Sequence, residues 1–177
     1  VIGLPPPYWA FAWAGGQALA RYLLDRPETV RGRRVLDFAA GSGLVAIAAA
    51  KAGAARVEAS EIDRFALQAI ALNAHLNAVE VTVLAEDVLA DTGGPTAERR
   101  WDVVLAGDVC YERPMAEKVF AFLRAQARAG ALVLLGDPGR AYLPKAGLQR
   151  LTAYSVKTTR ELEDSDVRNA VVWQVEG

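Results

Sequence analysis

The sequence predicts an α/β protein whose mostly parallel sheet ends in a C-terminal antiparallel hairpin. Three observations predict it. From Arg34 onward, short apolar runs alternate with stretches of helical periodicity. A glycine loop, Gly41-Ser42-Gly43, stands at the first strand-to-helix junction. The last two apolar runs are joined by a short polar segment, the pattern of an antiparallel pair.

Each element follows in order. VIGLPPPYWAFAW opens with three prolines, which hold Pro5 to Pro7 extended, and continues into the aromatics Tyr8, Trp9, Phe11 and Trp13. GGQALARYLLD reads as a helix with Leu19, Leu23 and Leu24 on one stripe and Pro27 just past its end. VLDF is the first strand, Leu44 to Lys51 the first crossover helix, and Gly53 its stop. RVEASE is the second strand. Asp63 caps a long helix that runs through Leu76, with Leu67, Ile70, Ala71 and Ala74 at core spacing. VEVTVLAED reads as a third strand from the period-two run of Val79, Val81 and Val83, and TGGPTAERR as a loop with room for one helical turn. WDVVLAGD is nearly all apolar, as a strand buried on both faces requires. Met115, Val119, Phe122 and Leu123 mark another helix, and ALVLLGD a fifth strand. LTAYSVKTTREL and NAVVWQVE form the hairpin, with ELEDSDVR between them. Right-handed crossovers then put a ligand crevice at the carboxyl ends of the first strands.

Bulk properties fit one domain over 1–177, on which residues 1–30 pack as an aromatic segment and a helix. The 177 residues suffice for a real core, and a hydrophobic fraction of 53% argues against disorder. Twenty basic against 21 acidic residues leave no global basic field, so nucleic acid is not an expected partner. No run reaches the roughly 18 to 20 apolar residues of a membrane span, so a membrane is not expected either. No secretory signal stands at the start, which opens on Val1. One cysteine, Cys110, and one histidine, His75, exclude an internal disulfide and a cysteine-rich zinc cluster and speak against a histidine metal site. This usage suits a reducing, cytoplasmic setting.

The glycine loop raises a choice of ligand. GSGLVA fits the dinucleotide fingerprint through Gly41, Gly43 and Ala46. Yet Asp37 precedes the loop, where it accepts hydrogen bonds from an amino group and repels a pyrophosphate. S-adenosylmethionine carries such an amino group. Glu61, ending the second strand, suits the two hydroxyls of a ribose and does not separate NAD from S-adenosylmethionine. Asp87, ending the third, suits the exocyclic amine of adenine. Three acids on one sheet edge favour a cationic sulfonium over an anionic pyrophosphate. Each acid alone also reads as an ordinary helix cap.

The order DFAAGSG, EASEID, AEDVL and GDVCY, closed by a hairpin, resembles the seven-strand S-adenosylmethionine-dependent methyltransferases over nearly the whole chain. The resemblance implies their Rossmann-like sheet and the cofactor S-adenosyl-L-methionine. Ala39 and Ala40 stand where many members have a Gly-Cys pair, while the loop glycines remain. PPYWAFAWAGGQALARYLLD and GDVCYE look like the lysine methyltransferases of the electron transfer flavoprotein beta-subunit, in their bacterial form. That likeness implies a protein-lysine N-methyltransferase with this beta-subunit as substrate. It also implies an Asp-x-x-Tyr element at Asp108 and Tyr111, and places Trp13 near the cofactor, beside Gly15.

Methyl transfer from a sulfonium needs an unprotonated amine held in line, so positioning does most of the work. Free lysine, with a pKa near ~10.4, arrives as ammonium. Gly107 lets a ligand approach the backbone. Asp108 is expected to hydrogen-bond and orient the amine, and Tyr111 to wall the channel and hold the amine by its hydroxyl. An ionised Asp108 favours the ammonium, so recruitment and orientation are its roles. The plain alternatives are a cap on the Met115 helix for Asp108, a rim position for Tyr111, core positions for Trp9 and Trp13, a Pro-Gly turn shaped by Asp137, packing for Cys110, and a solvated tip for ELEDSD. Competing functions are a methyltransferase of another protein or a small amine, an NAD-dependent oxidoreductase, and a non-catalytic cofactor-binding partner.

Overall fold

The structure is a computed structural model and describes residues 6–89 and 100–177. Among the described residues seven strands form one sheet: β1 (Arg34–Phe38), β2 (Arg56–Ser60), β3 (Thr82–Leu84), β4 (Val103–Gly107), β5 (Leu132–Asp137), β6 (Leu148–Lys157) and β7 (Val167–Val175). Their order is β3-β2-β1-β4-β5-β7-β6. The first five run parallel, and β7 lies antiparallel to both β5 and β6. Helix α1 (Ala14–Asp25) precedes the sheet, α2 (Leu44–Lys51) follows β1, α3 (Arg64–Leu76) follows β2, and α4 (Arg113–Arg128) joins β4 to β5. A single turn, α5 (Arg160–Glu163), sits inside the hairpin. Among the described residues no helix is long and apolar enough to cross a membrane.

The period-two alternation of each strand divides the core in two. Val35, Val57, Val103, Leu105 and Leu134 face α1 and α2, whereas Leu36, Val104, Ala106, Val133 and Leu135 join Val119 and Leu123 of α4. Both faces are covered, as a parallel sheet demands, and these strand residues are fully buried or nearly so.

Helix α1 lies unusually close to the sheet. A Cβ on Gly15 would stand 2.6 Å from the carbonyl carbon of Gly136 in β5, and a Cβ on Gly107 would stand 3.0 Å from the Cα of Gly16. The Gly-Gly pair that opens α1 therefore packs on the glycines near the ends of β4 and β5. Gln17 then ties α1 to its surroundings, because its Nε2 donates to the carbonyls of Ala12 (2.6 Å) and Lys157 (2.9 Å).

Several sequence expectations need correction. Leu24, Ala71 and Met115 lie on the outer faces of their helices, and Ala66 and Ala116 take buried places instead. The third strand is only Thr82–Leu84: Val79 belongs to the exit of α3, where its N–H donates to the Ala74 carbonyl at 3.1 Å. Pro7 is turned rather than extended, with φ −77° and ψ 65°, so the Tyr8 N–H reaches the Pro6 carbonyl. Strand β6 ends at Lys157, and the residues after it coil into α5. Pro5 and most of the TGGPTAERR loop lie outside the described residues.

Candidate active site

The carboxyl end of β1 and the loop after it build one side of the site. The loop folds in left-handed steps at Gly41 (φ 56°) and Gly43 (φ 88°), which brings the chain back onto β2: the Ala40 N–H donates to the Ser60 carbonyl at 3.0 Å. Asn73 of α3 pins the loop from behind, donating from Nδ2 to the Ser42 carbonyl at 2.9 Å.

Two of the expected acids meet at this loop. Asp37 is buried, and its Oδ2 accepts the Ala46 N–H in the first turn of α2 at 2.8 Å. Helix α2 has no side-chain cap at Gly43, so this carboxylate satisfies one of its orphan donors. Burial, and then the negative charge of Glu61, push the Asp37 carboxyl up to about 7, against the gain from the Ala46 N–H. Glu61 accepts the Gly41 N–H at 3.0 Å with one oxygen and the Ile62 N–H at 2.8 Å with the other. Asp63 caps α3 through the N–H groups of Phe65 and Ala66, as expected. Asp87 is placed differently. It lies three residues beyond β3, exposed, with Oδ1 closing its own turn by accepting the Leu89 N–H at 3.0 Å.

The other side of the site forms where α1 meets β4 and β5. Trp13 occupies the N-cap position of α1, half-buried, with its Nε1 donating to the Tyr8 carbonyl at 2.7 Å and Phe11 edge-on to its ring. Gly107 turns the end of β4 toward Gly16, and Asp108 follows in a left-handed conformation (φ 56°). The Asp108 carboxylate reaches α1 rather than α4: Oδ1 accepts the Gly15 N–H at 3.1 Å and Oδ2 the Gly16 N–H at 2.8 Å. Arg140 adds a third donor to Oδ1 at 2.7 Å. A carboxylate offers about four acceptor sites, so about one remains for a ligand. Burial raises the Asp108 carboxyl, against the charge and hydrogen bond of Arg140.

Tyr111 is 65% exposed and lines a hollow of about 310 Å³ with Arg140, Ala141, Leu162 and Arg168. Its hydroxyl is raised by partial burial and by the charges of Glu112 and Glu61, which places it within electrostatic reach of the β2 end. Cys110 is fully buried, and burial with the nearby Asp137 carboxylate pushes its thiol up to about 12. It is packing, not a nucleophile.

The site carries the features of one protein family, and comparison with known proteins identifies it. The family described as "Ribosomal protein L11 methyltransferase (PrmA)" matches residues 18–127. The electron transfer flavoprotein beta subunit lysine methyltransferase of Xenopus laevis is 40% identical over 176 residues, covering 96% of this chain and 70% of that protein. The Homo sapiens protein of the same name is 38% identical over 173 residues, covering 94% and 64%. The chain belongs to the PrmA-type methyltransferases and to the family of the electron transfer flavoprotein beta subunit lysine methyltransferases. It spans about two thirds of the length of these curated relatives. The fold agrees: a Thermus thermophilus 16S rRNA methyltransferase solved with AdoMet and guanosine superposes with a TM-score of 0.62 at 24% identity, covering 94% of this chain and 44% of that one.

In this methyltransferase two further residues belong to the site that sequence reading passed over. Glu163, placed in a solvated tip by sequence, is 4% exposed. Its Oε1 accepts the Ala14 N–H at 3.0 Å and the Arg140 Nη2 donor at 3.0 Å. Arg140 itself is set by Asp137, whose Oδ1 accepts the N–H groups of Gly139 and Arg140 at 2.7 Å each. Asp137 does shape its Pro-Gly turn, and the turn aims Arg140 at two carboxylates. The only local signal was an arginine directly after a turn at the carboxyl edge of the sheet.

Proposed function

We propose that this chain transfers a methyl group from S-adenosylmethionine to lysine side chains of the electron transfer flavoprotein beta-subunit, with the cytoplasm as its setting. The observation that carries the cofactor is the buried Asp37, raised to about 7 beside Glu61, which a cationic ligand stabilises and a pyrophosphate does not. The substrate rests on the relatives, which are named for that activity.

When bound, S-adenosylmethionine supplies an electrophilic methyl group on a sulfonium. Asp37 accepts the amino group of its methionyl part, Glu61 the ribose hydroxyls and Asp87 the adenine amine. Gly41 and Gly43 keep the loop backbone close, and Trp13 and Gly107 wall the opposite side. Tyr111 holds the incoming amine by its hydroxyl, and Asp108 orients it with the acceptor site that α1 and Arg140 leave free. The proton leaves the ammonium for water before transfer, since an ionised Asp108 favours the charged amine.

Incubation of labelled S-adenosylmethionine with the chain and purified electron transfer flavoprotein tests this, with label expected in the beta-subunit. Label entering only other proteins refutes the substrate. A ribosomal protein is the second reading, favoured by the family description that matches residues 18–127, and ribosomal protein L11 in a parallel incubation decides between the two.

A further inference from the structure

We propose that Arg140 and Glu163 are positioning residues for methyl transfer: an ion pair that locks Asp108 and the first turn of α1 to the β6–β7 hairpin. The inference rests on the methyltransferase reading above. Its basis is a single connected group of contacts. Helix α1 begins without a side-chain cap of its own, and three successive N–H groups of its first turn are taken by distant carboxylates. Glu163 accepts from Ala14, and Asp108 accepts from Gly15 and Gly16.

Arg140 stands between those carboxylates. Its Nη2 donates to Asp108 Oδ1 at 2.7 Å and to Glu163 Oε1 at 3.0 Å, and its Nη1 to Glu163 Oε2 at 3.1 Å. Its guanidinium also lies 5.5 Å from the centroid of the Trp13 ring. The side chain is 18% exposed, while those of Asp108 and Glu163 are 9% and 3% exposed. The planar fork spans these three oxygens from two nitrogens, whereas a lysine offers its three donors from a single atom. Asp108 and Trp13, both candidate site residues, thus owe their placement to a residue of the β5–β6 link and a residue of α5.

The charge on Asp108 is the readout. Facing it are Arg140, Asp137 at the end of β5, Cys110 in its own loop, and Glu163 with Arg168 behind it at 4.0 Å. From α1 it meets backbone amides. Burial raises its carboxyl, and Arg140 opposes that rise. Removing Arg140 therefore moves the titration of Asp108 to higher pH. Removing the charge of Glu163 leaves Arg140 uncompensated and moves it to lower pH. Charges that only support the fold give the same pair of shifts, so the role in transfer is read from kcat moving together with the titration.

The test compares wild type with Arg140→Met, Arg140→Lys and Glu163→Gln in the full chain, each checked for S-adenosylhomocysteine binding. Carbon-13 titration of the Asp108 carboxyl and the pH profile of kcat are recorded together. The expected result is an upward shift in Arg140→Met with kcat lower on the order of 10²-fold. Glu163→Gln shifts the titration downward. Arg140→Lys restores the wild-type titration while kcat stays about tenfold low, since one ammonium cannot replace the fork. If Arg140→Met does not fold, the other two variants decide. Folded variants with unshifted titrations, with shifts of one sign, or with wild-type kcat overturn the inference. A wild type that transfers no methyl group to any substrate refutes the function instead, and the carboxyl titrations still judge the ion pair.

Discussion

Gly15 of α1 and Gly136 of β5 lie backbone to backbone, with no room at either position for a methyl group. A Cβ on Gly136 would stand 2.8 Å from the Gly15 carbonyl carbon, and neither backbone has a flexible end that could yield. This contact sets the depth at which α1 sits, and so the reach of its first turn to Asp108.

Gly15→Ala is accordingly expected to destabilise the protein by about 3 kcal/mol or more. Its neighbour provides the control: a Cβ on Gly16 meets nothing nearer than 3.9 Å. Gly16→Ala should change stability by no more than about 1 kcal/mol. Urea unfolding of the two variants measures the difference, and equal losses contradict the close approach.

Asp37 makes stability depend on pH in a direction opposite to most carboxylates. Its folded pKa of about 7 lies above the ordinary value of 3.8. Below the ordinary value both folded and unfolded chains hold the proton, and the contribution is whole. Between about pH 4 and pH 7 the unfolded chain gives up the proton while the folded chain keeps it, so up to about 4 kcal/mol is lost across that window; above 7 the folded chain ionises as well and the loss levels off. Wild type should therefore lose stability relative to Asp37→Asn between pH 4 and pH 7, with the two curves parallel above that. Curves for the two proteins in urea that are parallel below pH 7 as well would remove the effect.

Ligand binding should draw on the same proton. At pH 6 the ligand-free Asp37 is mostly protonated, and the ammonium of S-adenosylhomocysteine favours the carboxylate. Binding is expected to release close to one proton at pH 6 and almost none at pH 8.5. Calorimetry in two buffers of different ionisation enthalpy counts it. Proton uptake at pH 6 would mean that the amino group lies elsewhere.

Tyr111 separates function from fold. With 65% of its surface exposed, Tyr111→Phe should leave stability within about 0.5 kcal/mol of wild type. Loss of a hydrogen bond to a charged amine should lower transfer roughly tenfold to a hundredfold. Full transfer by this variant assigns the ring, not the hydroxyl, to the site.

Much of this arrangement was legible in the sequence because its causes are local. Helix α2 begins and ends where the glycine loop and Gly53 imply, Asp63 caps α3, and the apolar runs of β1, β4 and β5 are strands buried on both faces. Expectations failed where a local pattern served another purpose. Val79 continues an alternating run, yet its N–H is spent on closing α3, which shortens β3. Asp87 stands three residues past its strand rather than at the end of it, because β3 stops at Leu84, and its Oδ1 also closes a turn of its own. The ion pair escaped notice for a different reason. Arg140 lies 32 residues from Asp108 and 23 from Glu163, and no periodicity reports a contact made across folded layers.

The hydrogen bond from the Ala14 N–H to Glu163 joins positions 149 residues apart. A ribosome translating this message has released the aromatic opening and the first helix long before the glutamate that seats them exists. A chain halted before the hairpin therefore lacks the acceptor of the Ala14 N–H, and the first turn of α1 is seated in full only when the last strands have been made.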